Sequence, residues 1–161
     1  MDSMVKIYLE RSLNELSQAK LLFAISDNIE KKQEFQIEQE MTFYSGVISH
    51  AYYSIFYAAK SILLTKNIKT YAPEIHKKTY EAFKEQFVDS GIIDIGLLNI
   101  YKKMIVRADE LLQIFKDEKW KRGHFTYKTI PQANKEHAEE SINNASKFIK
   151  NIKVIIEKWY L

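Results

Sequence analysis

The sequence predicts an all-α protein, an up-and-down four-helix bundle with an additional short helix, and three observations predict it. Only four Gly and two Pro occur in 161 residues, so the chain has few places to turn sharply and long helices are expected. Apolar residues recur at alternating steps of four and three, the repeat of a single helix face, while the period of two that marks strands is hard to find. With 46% hydrophobic residues, the chain can close one core unaided, so residues 1–161 read as a single domain.

The first helix follows Val5, Leu9, Leu13, Leu16 and Phe23 to about Ser26, after which the polar run Asp27 to Glu40 reads as a connector. From Phe43 to Leu64, apolar and aromatic residues occupy nearly every side, as in a helix surrounded by others, and this segment is expected at the centre of the bundle. Pro73 and Glu74 suit the first turn of a shorter helix whose face continues through Ile75, Thr79, Phe83 and Phe87 until Asp89-Ser90-Gly91 stops it. Asp94 is a candidate N-cap for the next helix, to about Glu118, built on Leu97, Tyr101, Met104, Ala108, Leu111 and Phe115. The last carries Ala138, Ile142, Ala145, Ile149, Ile152, Ile156 and Trp159 in one stripe. Five helices result, one of them short. The heptad-like spacing of the last two favours nearly antiparallel packing.

Composition removes several functions. Zero Cys excludes disulfides, thiolate metal sites and Cys nucleophiles, and suits a reducing compartment, the cytoplasm by default. The N-terminus has Asp2, Glu10 and Arg11 where a leader would carry a basic head and an apolar run, and no apolar stretch approaches the ~20 residues needed to span a bilayer, so no membrane role is expected. No Glu is followed three residues later by His, which removes the di-iron carboxylate pattern; H-E-x-x-H, a glycine-rich phosphate loop and G-x-S-x-G are also absent. Neither a metal nor a cofactor is expected. Net charge is only +3, so the distribution of cations matters more than their sum.

That distribution is uneven. Lys119 to Lys128, K-W-K-R-G-H-F-T-Y-K, gathers four cations, three aromatics and one His into ten positions between two helical segments. Cations interleaved with rings are what a surface for phosphates and bases requires. Only Arg11, Arg107 and Arg122 among 24 basic residues are Arg, and only Arg offers a bidentate fork. Arg107 reads either as part of that surface or as one end of an intrahelical pair with Asp109 or Glu110. Tyr53 and Tyr57, in the central helix with Tyr52 and Phe56, suit base stacking on one reading and core or subunit packing on the other; buried tyrosine hydroxyls would also need polar partners. His76 and His137 read as solvated, and His50 as a hydrogen-bonded buried imidazole or a functional one.

Ser49 to Lys60, S-H-A-Y-Y-S-I-F-Y-A-A-K, resembles the Ser-(Arg/His)-x-Tyr-Tyr-x-x-(Phe/Tyr)-x-Ala-Ala signature of HEPN domains, and R-G-H-F-T-Y followed by A-E-E-S-I-N-N-A-S-K-F-I resembles that family's loop and final helix. The likeness runs from about Thr42 to Ile156. It implies a four-to-five-helix bundle, commonly a homodimer, whose members include metal-independent RNases of toxin–antitoxin and defence systems. Many are encoded beside a small nucleotidyltransferase antitoxin, and others bind nucleotides or RNA without catalysis. Catalytic members carry Arg and His four to six residues apart; here Tyr127 stands where that His would be, as in one branch of the family, and His124 lies two residues past Arg122.

The expected site follows. Arg122 would stabilise phosphate charge, His124 would shuttle a proton, and Tyr127 would donate to a phosphate oxygen or accept a nucleotidyl group. Lys119, Lys121, Lys128, Arg107, Tyr53 and Tyr57 would bind the RNA or nucleotide. The partners implied are a second copy of the chain and a nucleotidyltransferase.

Overall fold

A computed structural model of the chain describes residues 3–120 and 135–160, with side chains described as far as Gln113 and again from Lys135. Six α-helices are present among the described residues: α1 (Ser3–Ser26), α2 (Ile29–Glu34), α3 (Tyr44–Leu64), α4 (Ile75–Phe83), α5 (Ile95–Trp120) and α6 (Lys135–Tyr160). A π turn, Lys84–Val88, extends α4. The four long helices are those the apolar stripes predict.

Their pairing is alternately up and down. Ser61 donates to the Val5 carbonyl at 2.8 Å and Ser12 to the Ser54 carbonyl at 2.7 Å, so α1 and α3 run antiparallel. Arg107 meets Glu140 while Tyr101 packs on Phe148, which makes α5 and α6 antiparallel as well. Lys135 at the start of α6 pairs with Asp27 just past α1 at 2.8 Å. α3 lies between α1, α6 and α5, and Val47, Ile48, Ala51, Ile55, Ala58, Ala59, Ile62 and Leu63 on it are wholly buried.

Small residues explain how closely α1 approaches α3. Ser12, Ala19, Ala51, Ser54, Ala58 and Ser61 are all buried, and the hydroxyls of Ser12 and Ser61 take carbonyls of the facing helix, so these buried polar atoms keep partners. Gly46 serves the same seam, since a Cβ there would stand 3.0 Å from Leu22 Cδ1. Around Phe83, the rings of Phe87, Tyr101 and Phe148 close the other half of the core at centroid distances of 5.5 to 5.9 Å.

Two details correct the sequence reading. The polar connector contains α2, capped by Asn28, whose side chain accepts from Lys31 N at 3.0 Å. Lys32 folds in to donate to the Gln39 carbonyl at 2.7 Å. Such a helix is held by a cap and one lysine instead of an apolar stripe, so periodicity does not reveal it. Pro73 and Glu74 lie outside α4: Glu74 has φ 59, left-handed, and cannot extend the helix backwards, so the first helical residue is Ile75. The Ala72–Pro73 peptide is cis. At α5 the expected cap is present, with Asp94 Oδ1 accepting from Gly96 N at 2.7 Å. Gly91, at φ 77, occupies a backbone region open to glycine where α4 and its π turn end.

Candidate functional site: the aromatic face of the central helix

Residues 49, 52, 53, 56, 57 and 60 share one side of α3, because steps of three and four bring side chains onto a common face. The family-like stretch therefore presents Tyr52, Tyr53, Phe56 and Tyr57 as a connected ring cluster. Tyr52 and Tyr53 lie 5.5 Å apart, Tyr53 and Phe56 6.5 Å, and Tyr53 and Tyr57 6.3 Å with planes at 28°. Tyr52 and Phe56 are buried, Tyr57 is half-buried, and Tyr53 is 38% exposed.

α4 contributes a residue that the sequence reading placed in water. The His76 ring lies 4.3 Å from Phe56 and 5.6 Å from Tyr52, and its Nδ1 is 2.8 Å from the Tyr52 hydroxyl. Burial, helped by the charge of Lys60, lowers the His76 pKa, so the neutral ring is favoured and Nδ1 is available as acceptor. Burial likewise pushes the Tyr52 phenol far up. The sequence did hold one signal, the need of a buried tyrosine for a polar partner, but nothing in it indicated that α4 would bring the partner to α3.

His50 has a partner too. Its Nδ1 donates to Glu15 Oε2 of α1 at 2.7 Å, the hydrogen-bonded imidazole among the readings open for it. Glu15 shows 15% of its side chain to solvent.

Between α3 and α5 lies a mainly apolar cavity of about 300 Å³ lined by Ser45, Gly46, Ser49, Tyr52, Tyr53, Ala108, Leu111 and Leu112. Thus Tyr53 borders a cavity whose far wall is α5, the helix that carries Arg107 and ends at Trp120. Arg107 itself lies 3.2 Å from Glu110 and 3.7 Å from Glu140, while Lys103 pairs with the same Glu140. These cations hold the Glu140 carboxyl below its usual range, Lys103 first. Tyr57 turns toward α1, stacking on Tyr8 at 6.0 Å beneath the Arg11 guanidinium. Lys119 closes α5 but its side chain is not described; Lys121, Arg122, His124, Tyr127 and Lys128 lie outside the described residues.

This all-helical bundle, with Ser49 to Lys60 building the ring cluster on its central helix, is the architecture of one domain class. The HEPN domain family matches residues 29–155, and the chain belongs to that family. It is similar to a protein of Methanocaldococcus jannaschii named "Putative toxin MJ0605", with 29% identity over 154 residues covering 96% of this chain and 90% of that one. A second protein of that organism, "Putative toxin MJ0142", is 36% identical over 34% of this chain and 35% of its own length. "UPF0332 protein PH1297" of Pyrococcus horikoshii is 40% identical over 40% of this chain and 42% of its own. No solved structure matches the chain significantly. No helix among the described residues is long and apolar enough to cross a membrane.

Proposed function

We propose that the chain is a HEPN toxin that cleaves RNA without a metal ion and is neutralised by a nucleotidyltransferase partner. The observation that carries this is positional. Tyr52 and Tyr53 of the signature helix share a cavity with Ala108, Leu111 and Leu112 of α5, and the Arg122-Gly123-His124 segment follows in sequence after that helix ends. The full-length similarity to a protein named a putative toxin supports the same reading.

In this mechanism His124 takes the proton of a ribose 2′-hydroxyl, O2′ attacks phosphorus, and the P–O5′ bond breaks, leaving a 2′,3′-cyclic phosphate and a 5′-hydroxyl that takes a proton from water. Arg122 neutralises charge on the phosphorane and Tyr127 donates a hydrogen bond to a phosphate oxygen. Lys119, Lys121, Lys128, Tyr53 and Tyr57 hold the strand, with Arg107 joining if Glu110 and Glu140 release it. The chain acts as a homodimer in the cytoplasm. Tyr127, in place of the family's His, favours a second reading, a non-catalytic RNA- or nucleotide-binding subunit.

Labelled RNA incubated with purified protein in EDTA separates the two. Cyclic-phosphate products that fall by roughly 10²-fold or more in Arg122→Ala are expected; no cleavage at any protein concentration would leave the binding reading.

A further inference from the structure

Three tyrosine rings run across the face of α3 to its seam with α1. Tyr8 and Tyr57 are 6.0 Å apart with planes at 24°, and Tyr57 and Tyr53 are 6.3 Å apart at 28°. Cations sit on these rings. The Arg11 guanidinium is 4.5 Å from the Tyr57 centroid, and Lys60 Nζ is 4.9 Å from that of Tyr8 and 5.7 Å from that of Phe56.

Neither Arg11 nor Lys60 has a carboxylate within ion-pair distance among the described residues. Some neighbouring cations are paired, Lys6 with Glu10 and Lys103 and Arg107 with Glu140; what sets Arg11 and Lys60 apart is that each also lies on an aromatic ring. Glu15, the carboxylate beside the seam, is occupied by His50. Beyond Lys60 the seam opens into a second cavity of about 180 Å³, bordered by Met4, Tyr8, Lys60, Lys69 and Tyr71. Lys69 is also without an ion-pair partner among the described residues, and Tyr71 is 65% exposed.

We propose that this seam is a track for single-stranded RNA that continues the face of Tyr53 and Tyr57 away from the 119–128 segment, onto Arg11, Lys60 and the cavity beside Lys69. It rests on the reading of the chain as a protein that acts on RNA, and extends it. A base stacks against the exposed Tyr53, Tyr57 props the Arg11 guanidinium, Arg11 and Lys60 take phosphates, and the cavity beside Lys69 and Tyr71 takes a further base. An arginine lying on a ring keeps its edge N–H groups free for a phosphate, and the ring holds it in place. Rings next to unneutralised cations suit a chain with exposed base faces, whereas a duplex hides those faces. A second copy of the protein fits less well, because a two-fold contact through this seam would set one cationic patch against the same patch of the copy.

The test is fluorescence polarisation with a labelled, unstructured ten-nucleotide RNA across a salt series, using wild type, the Arg11→Gln/Lys60→Gln double variant and Arg122→Ala. The double variant should bind about tenfold more weakly or worse. The slope of log K against log salt should become shallower by about 1.4, because each phosphate that a cation neutralises on a single strand adds ~0.7 to it and two such cations are removed. The variant should stay folded, with a melt lowered by no more than the loss of two cation–π contacts, and a duplex of equal length should compete poorly. Unchanged affinity or slope in the double variant would overturn the track, as would equal binding of duplex and single strand. So would a dimer that dissociates in the double variant while RNA affinity is kept, which would make the seam a contact between copies. Cleavage that survives in the double variant at wild-type KM but is lost in Arg122→Ala would sink the track alone. Wild-type protein that neither binds nor cleaves RNA would remove both.

Discussion

The Tyr52 hydroxyl lies 2.8 Å from Nδ1 of His76, and this bond joins the middle of α3 to the first turn of α4. Phe56 and Tyr53 pack against the imidazole, which leaves the bond part-buried. Tyr52→Phe keeps the ring and leaves Nδ1 unpaired, and should lower unfolding stability by about 1 kcal/mol. Urea denaturation checks it; an unchanged midpoint at constant m would show that solvent satisfies His76 equally well.

The same histidine makes stability depend on pH. Its folded pKa is below the unfolded value, so as pH falls through the unfolded range near 6.5 the unfolded chain takes up the proton more readily than the folded one. Stability should therefore drop on acidification from about pH 7 and level off once the folded ring is also protonated. His76→Gln should flatten this part of the curve, measured as urea midpoints from pH 7.5 to 5. A slope identical to wild type would place its origin elsewhere.

Tyr101 points its hydroxyl into the core, where it finds no hydrogen-bond partner among the described residues. Burial pushes its pKa well above the ordinary phenol value. An unsatisfied buried hydroxyl costs stability, so Tyr101→Phe should be neutral or stabilising by roughly 1 kcal/mol, readable as a raised Tm. A clear loss would reveal a partner for the oxygen, such as an ordered water.

The α1–α3 seam predicts a cost for added volume. Ser12→Leu forces a larger side chain onto the Ser54 backbone and removes a buried hydrogen bond, and should destabilise by about 1–3 kcal/mol or more. Ser12→Ala removes only the bond and should cost less. Equal effects from the two would mean that the helices can separate without penalty.

How much of this was legible from sequence varies with the kind of signal. The four long helices were, three because each buries a continuous stripe, as Ile149, Ile152 and Ile156 do on α6, and α3 because it is apolar on nearly every side. The α5 cap was as well, since Asp94 acts on a backbone N–H two residues away. What failed depends on distant contacts. α2 has no buried stripe, with Ile29 and Phe35 more than half exposed. The surroundings of His76 depend on how the chain turns before Ile75, and the Glu15–His50 pair joins residues 35 positions apart. The ring face was visible as a motif, yet the pairing of Arg11 with Tyr57 needed the antiparallel register of α1 and α3.

Glu140 holds two cations from the neighbouring helix, Lys103 and Arg107, with one carboxylate. Neutralising that single acid would therefore release an ammonium and leave the guanidinium with only Glu110. One carboxylate thus decides how much positive charge this side of α5 displays.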